Sequence, residues 1–384
     1  MSADTSVSES SSASFSRSSK LLWLEAIRLI AIIQVIVIHV TAQTYFLGAP
    51  IDSLDGWLLV VLNSMSRVCV PLFFMVSGYL LLSRQEPVLK FFNRRFKRIL
   101  TPLFAWSLIY LAMIHWVEVK YPSGTSSVTP EYMQDIIDKG WGALALMFVF
   151  PLYYHLWFLY SLSAQYLLIP LWRNVYHSSS PTKLWYVLVV LVLGVQFSGY
   201  YYNSEMAGFN LFVQIIFGSA TYVLAGSLVG RIPLKASIAW GMLALGIGLL
   251  IYTVWGTAYL SLEDGKYNMS LVDSSINIFG GTVAAFYLMR YVFEELLGDI
   301  SERIERWLSH FGELSFGVYL IHPVFLYAFS VGAFGFVFTS MSFNGLLAVP
   351  SLTIVTLLIS AASIWLLGQI SFLRIFIGLA PVKT

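Results

Sequence analysis

What the chain has least of is charge. Asp, Glu, Lys and Arg make up 11% of its 384 residues, against about 25% in an average soluble domain. That deficit excludes a soluble enzyme, a nucleic-acid binder and a disordered scaffold. Cysteine is scarcer still. The single Cys69 excludes an intrachain disulfide and a cysteine-based metal cluster. The six histidines, His39, His115, His155, His177, His310 and His322, include no i, i+4 pair, so no metal site is expected. There is no phosphate-binding glycine loop. Gly280 and Gly281 sit in an apolar run, where small residues serve helix packing. The net charge of +2 points to no polyanionic partner, so nucleic acid is not expected.

What the chain has in quantity is apolar surface: 58% of residues are hydrophobic and the mean hydropathy is +0.76. A membrane span needs ~20 apolar residues. Ten long apolar segments lie near 21–44, 57–82, 99–117, 155–172, 184–201, 211–229, 236–256, 270–291, 313–334 and 346–370. The expected fold is therefore all-α: a polytopic bundle of about ten transmembrane helices, forming one unit over residues 20–372. Trp23, Trp157, Trp172 and Trp185 lie near segment edges, as in an interfacial belt. The run 140–153 is too short to span and is expected to be interfacial or re-entrant. Residues 1–19 are more than half serine and are expected to form a disordered tail, not a cleaved leader. Residues 373–384 are expected to be a second, short tail.

Lys and Arg set the orientation. With ten spans, seventeen of the 22 basic residues fall on one face. Lys120, Lys139 and Lys266 fall on the other, and Arg28 and Arg67 remain inside spans. The positive-inside rule then places both termini in the cytoplasm.

Ionisable residues inside a bilayer are expensive and so are functional candidates. The first segment holds Glu25, Arg28 and His39. Eleven residues separate Arg28 from His39, about 20° from three full turns, so both project from one face ~16 Å apart. Glu25 lies one turn from Arg28 and can pair with it. The second segment holds Asn63 and Arg67, then Pro71. Arg67 near mid-membrane needs an anion, water or carbonyls freed at the proline. His155, Asn210, Gln214, Asp273 and Asn277 lie at the corresponding ends of other segments. Together with His39 and Asn63 they suggest a polar layer that holds a substrate. His322 precedes Pro323, and its side chain can satisfy the carbonyl that the proline leaves without a donor. A structural and a catalytic role stay open for it.

The loop before the third segment ends Lys-Phe-Phe-Asn-Arg-Arg-Phe-Lys-Arg over 90–98. A bare basic run ordinarily contacts anionic lipid. Arg95 and Arg98, three apart on one helix face, can also grip a phosphate, with Arg94 beside them.

Three stretches in one order resemble the acyltransferase-3 family of membrane acyltransferases. They are Trp-Leu-Glu-Ala-Ile-Arg-Leu-Ile-Ala (23–31) with His39, and Asn-Ser-Met-Ser-Arg-Val-Cys-Val-Pro-Leu-Phe-Phe-Met-Val-Ser-Gly-Tyr-Leu (63–80) with Arg-Phe-Lys-Arg-Ile-Leu-Thr-Pro (95–102). The third pairs His-Leu-Trp-Phe-Leu (155–159) with Leu-Ser-Phe-Gly-Val-Tyr-Leu-Ile-His-Pro (314–323). Residues 63–80 resemble most the branch that O-acetylates bacterial surface glycans, such as the enterobacterial common antigen.

The resemblance implies acyl transfer from cytoplasmic acetyl-CoA, or another acyl-CoA, to a hydroxyl of a surface or lipid-linked glycan. The acyl-CoA would be a co-substrate, and no permanently bound cofactor is implied. His39, Arg28 and Glu25 fall on the catalytic positions; Glu25 stands where many members have Asp. Arg95 and Arg98 fall on the family's Arg-x-x-Arg and, with Arg94 and Arg28, would hold the nucleotide. Asn63, Arg67, His155, Asp273, Asn277 and His322 would line the acceptor side. A flippase for a lipid-linked sugar, or a non-catalytic membrane sensor, would be the competing functions.

Overall fold

The computed structural model describes residues 21–120, 151–200, 214–272, 275–298 and 300–380, with the isolated positions 139, 142, 145 and 147. Among these, every regular element is helical. In chain order the helices are α1 (Leu22–Phe46), α2 (Leu54–Ser66), α3 (Cys69–Leu81), α4 (Val88–Lys120), α5 (Trp157–Ser178) and α6 (Pro181–Tyr200). Next come α7 (Ser219–Val229), α8 (Ala236–Asp264), α9 (Ile276–Tyr291), α10 (Glu302–Ser330) and α11 (Gly345–Leu367). π-Helical turns precede α7, at Gln214–Gly218, and follow α9, at Val292–Leu296.

Each of the ten expected segments carries helix. Seven helical stretches are long and apolar enough to cross a bilayer: Leu22–Phe46, Leu54–Leu81, Val88–Trp116, Ala236–Asp264, Ile276–Leu296, Glu302–Ser330 and Gly345–Leu367. The fold is therefore an all-α polytopic membrane bundle. Gln165, Arg173, Asn174 and His177 dilute the apolar character of α5. The described apolar parts of α6 and α7, Pro181–Val195 and Ile216–Val229, are shorter. Most of the run 140–153, and residues 1–19, lie outside the described residues.

Local chemistry sets the ends. The Ser53 hydroxyl caps α2 by accepting from the Gly56 amide at 3.1 Å. The Asn344 side chain caps α11 through the Leu346 amide at 2.9 Å. Gly265 ends α8 with a left-handed φ of 64°. The second segment is not one continuous helix. It breaks at Arg67–Val68, and Pro71 has no amide to offer the Arg67 carbonyl four residues back.

α1 is the central element. It packs against α2, α3, α10 and α11, and Trp23, Ile27, Ile36 and Val40 on it are fully buried. α8 lies at the periphery and buries little, as a lipid-facing helix does. Beyond α11 the chain folds back on α4: the Trp106 indole donates to the Phe376 carbonyl at 3.0 Å, and Arg98 Nε to the Gly378 carbonyl at 3.2 Å.

The most extensive helix contact joins α3 and α7. Two glycines permit it. A Cβ on Gly78 would overlap the Val223 carbonyl, and one on Gly226 would overlap the Met75 carbonyl. The backbones thus touch directly, as small residues allow between membrane helices. We expect Gly78→Ala to lower thermal stability by the equivalent of ~1–3 kcal/mol, because backbone cannot move aside. Gly241→Ala on α8, where a Cβ meets nothing within 4 Å, should not. Melting temperatures of the two detergent-solubilised variants check this, and equal values would contradict it.

Candidate active site

Among the described residues, two cavities in the bundle share a pair of aromatic rings on their walls. α1 contributes to both, because its polar residues share one face three turns apart.

The first cavity encloses about 420 Å³ and is rich in arginine: Arg28, Arg95 and Arg98 line it, with Glu25 and Glu313. Arg28 Nη1 donates to Glu25 Oε1 at 2.5 Å. Gly312 on α10 sets Glu25 in place, since any side chain at 312 would strike the Glu25 carboxylate. Arg95 and Arg98 enter from the first turns of α4. Among the described residues neither has a carboxylate within ion-pair distance. Their charge is available to a ligand.

Arg94 does not join them. It pairs with Glu86, which also receives Arg173 Nη2 at 3.1 Å. Arg173 is further held by the Leu81 carbonyl, at 2.8 Å from its Nε, and its guanidinium lies 4.6 Å from the centre of the Phe91 ring. Burial alone would raise the Glu86 carboxyl pKa. The hydrogen bond from Arg173 and the positive charge of Arg94 outweigh it and hold the group below its ordinary value. This cluster fixes the turn between α3 and α4. The expectation that Arg94 helps hold a nucleotide thus meets a side chain already engaged elsewhere.

The second cavity encloses about 220 Å³ and is mostly apolar. His39, His155 and Arg67 supply its main polar groups, with Cys69 and Pro71 on its wall. Three histidines from three distant parts of the chain meet here. The His39 and His322 rings stack at 5.3 Å with 24° between their planes. His155 meets His322 edge-on at 5.6 Å. Tyr154 lies 4.8 Å from His39, and Tyr110, Tyr153 and Tyr319 surround His155. Among the described residues no group of His, Cys, Asp and Glu is arranged to hold a metal ion.

His322 lies behind His39, fully buried. Its Nδ1 is 2.8 Å from the Tyr319 carbonyl and 3.2 Å from that of Val318. Tyr319 is four residues before Pro323, so its carbonyl has lost the usual backbone donor. Donation from Nδ1 fills that place, and in the neutral ring it leaves the lone pair on Nε2. Among the described residues Nε2 is buried without a partner. The Tyr319 hydroxyl in turn donates to the His155 carbonyl.

Arg67 is tied to Asn63 Oδ1 through Nε at 2.7 Å, not to carbonyls freed at Pro71. Asn63 also donates to Thr41 Oγ1 at 3.0 Å and accepts from the Tyr267 hydroxyl at 2.9 Å. Asn63 therefore supports Arg67 from behind and does not line the cavity. Asn277 is buried against Thr253 Oγ1 and the Leu271 carbonyl, at 2.7 and 2.8 Å, away from both cavities. Asn210, Asp273 and the side chain of Gln214 lie outside the described residues. Of the expected polar layer, His39 and His155 line the cavity among the described side chains, and Arg67 joins them there.

Phe158, Tyr319 and Glu313 were not singled out from the sequence. Glu313 carries a signal, as an acid just inside the ninth apolar segment. The two aromatic residues lie within the stretches 155–159 and 314–323 that carry the family resemblance, which is the sequence signal that could have found them.

The family model described as an acyltransferase domain matches residues 21–365. No curated protein and no solved structure matches the chain.

Proposed function

Because the chain belongs to the acyltransferase-3 family, and is thus a membrane acyltransferase, we propose that it moves an acetyl group from cytoplasmic acetyl-CoA to a hydroxyl of a bacterial surface or lipid-linked glycan. The observation that carries this reading is the pair of cavities joined by one helix. Arg28 faces the arginine-rich cavity and His39 the histidine cavity. A CoA thioester has matching halves: an anionic nucleotide and a slender arm ending in the acyl group. Arg95 and Arg98 bind the phosphates by charge-assisted hydrogen bonds. The arm runs along α1 toward His39, and the sugar enters from the other side.

His39 then acts as general base. It takes the proton of the acceptor hydroxyl while that oxygen attacks the thioester carbonyl. The C–O bond forms, the C–S bond breaks, and the leaving thiolate takes the proton back from His39. Arg67, anchored by Asn63, supplies positive charge beside the carbonyl oxygen as it becomes anionic. Glu25 holds Arg28 in orientation.

CoA affinity of purified variants tests the donor site. Arg95→Ala and Arg98→Ala each remove a contact worth ~1.5–3 kcal/mol, so affinity should fall by about ten- to 150-fold. Lysine replacements should recover only part, because an ammonium lacks the planar fork. Arg94→Ala, whose side chain Glu86 holds outside the cavity, should bind CoA as the wild type does. Unchanged affinity in the Arg95 and Arg98 variants would overturn the donor assignment and leave both arginines as lipid contacts.

A further inference from the structure

The two cavities adjoin at shared aromatic side chains. Only Phe158, in the first turn of α5, and Tyr319, in α10, line both. Both side chains are about 95% buried, with exposures of 5% and 4%. Their rings meet edge to face at 5.3 Å. Phe158 also meets Phe73 at 5.8 Å, on the wall of the arginine-rich cavity, and Phe74 at 5.2 Å, on the wall of the histidine cavity. An aromatic partition therefore stands between the donor's phosphate site and the histidine.

The two shared residues are not equally free. Tyr319 is tethered by its hydroxyl to the His155 carbonyl. Phe158 has no polar atom to anchor it and packs its ring against Phe73, Phe74 and Tyr319, so of the two rings it is the one that turns aside at lower cost.

We propose that the Phe158 ring is the gate between the cavities and sets how large an acyl group reaches His39. This rests on the acyl-CoA reading above. The acyl group is the leading end of the donor, so it meets Phe158 first. A two-carbon group passes a small displacement of the ring. A longer chain needs the ring displaced throughout, against Phe74 and Tyr319, in an interior packed too closely to yield cheaply.

The test uses stable thioether analogues, S-ethyl-, S-butyl- and S-hexyl-CoA, with bare CoA as reference, titrated calorimetrically into purified protein. In the wild type, affinity should not rise with chain length. In Phe158→Ala the chain can enter the histidine cavity. Each methylene buried there adds about fourfold, so S-hexyl-CoA should bind at least tenfold tighter than S-ethyl-CoA. Phe158→Leu keeps a large apolar side chain and the packing of α5, and should show a smaller gain in the same direction. Leu162→Ala, one turn along α5 on the arginine-rich cavity alone, enlarges that cavity without opening the partition, and should keep the wild-type profile. Bare CoA binding everywhere, with one chain-length profile for all proteins, would overturn the gate and leave the donor site standing. An equal gain in Leu162→Ala would also overturn it, by attributing the effect to volume alone. Failure of every protein to bind bare CoA would overturn the donor reading, and the gate with it.

Discussion

His39→Ala should reduce acyl transfer by roughly 10²-fold or more, the usual scale for loss of a general base, while CoA affinity stays at the wild-type value. The separation follows from geometry. His39 lines the histidine cavity and Arg95 and Arg98 line the other, with Phe158 and Tyr319 between them. His39→Gln retains hydrogen bonding without basicity, so it should lose as much. A brief pulse of labelled acyl-CoA without acceptor separates two chemistries. Label on the wild type and none on His39→Ala would make the imidazole a nucleophile, with an acyl-histidine formed as the thiolate leaves. Full activity in His39→Gln would remove His39 from the chemistry and pass the role to His155, the other histidine on the cavity wall.

The second large effect is expected at His322, where stability and activity should come apart. His322→Ala leaves the Tyr319 carbonyl with no donor, since Pro323 has no amide to give. A buried unsatisfied carbonyl costs about 1–3 kcal/mol. Activity should fall too, by as much as ~10²-fold, because the ring stacked on His39 is lost and a small misplacement of a catalytic group is costly. Adding Pro323→Ala returns a backbone amide to that carbonyl. The double variant should therefore recover its melting temperature but not its turnover number, with CoA affinity unchanged throughout. That pattern would make His322 a positioning residue for His39. Recovery of turnover together with stability would make it a device of helix α10 and nothing more.

Much of this arrangement is legible in the residues, and for identifiable reasons. Apolar runs of span length have one solution in a bilayer, so the helices were predictable from hydropathy alone. The phase relation of Arg28 and His39 was also predictable, because both stand on one helix whose period is known. The service of His322 to a proline-orphaned carbonyl is local too, confined to residues 319–323 of α10. Such statements need no knowledge of a neighbour.

Across helices that logic stops. Asn63 and Asn277 stand at the ends of their segments as His39 does, and nothing local distinguishes them. The structure turns Asn63 toward Thr41 and Tyr267 and Asn277 toward Thr253, while Arg67 and His155 reach the cavity. Arg94, Arg95 and Arg98 are equivalent as a basic run. Only the placement of Glu86 between α3 and α4 withdraws Arg94.

By itself, then, the sequence determined the all-helical membrane bundle, the family and the shared face of Arg28 and His39. The tertiary structure alone decided that His39, His155 and His322 meet, and that Phe158 and Tyr319 divide the interior. The physical reason is rotational. Helical periodicity sets angles within a helix but not the rotation of one helix against another. That rotation comes from contacts such as the bare backbone touch of Gly78 and Gly226, and it selects which side of each helix faces a cavity.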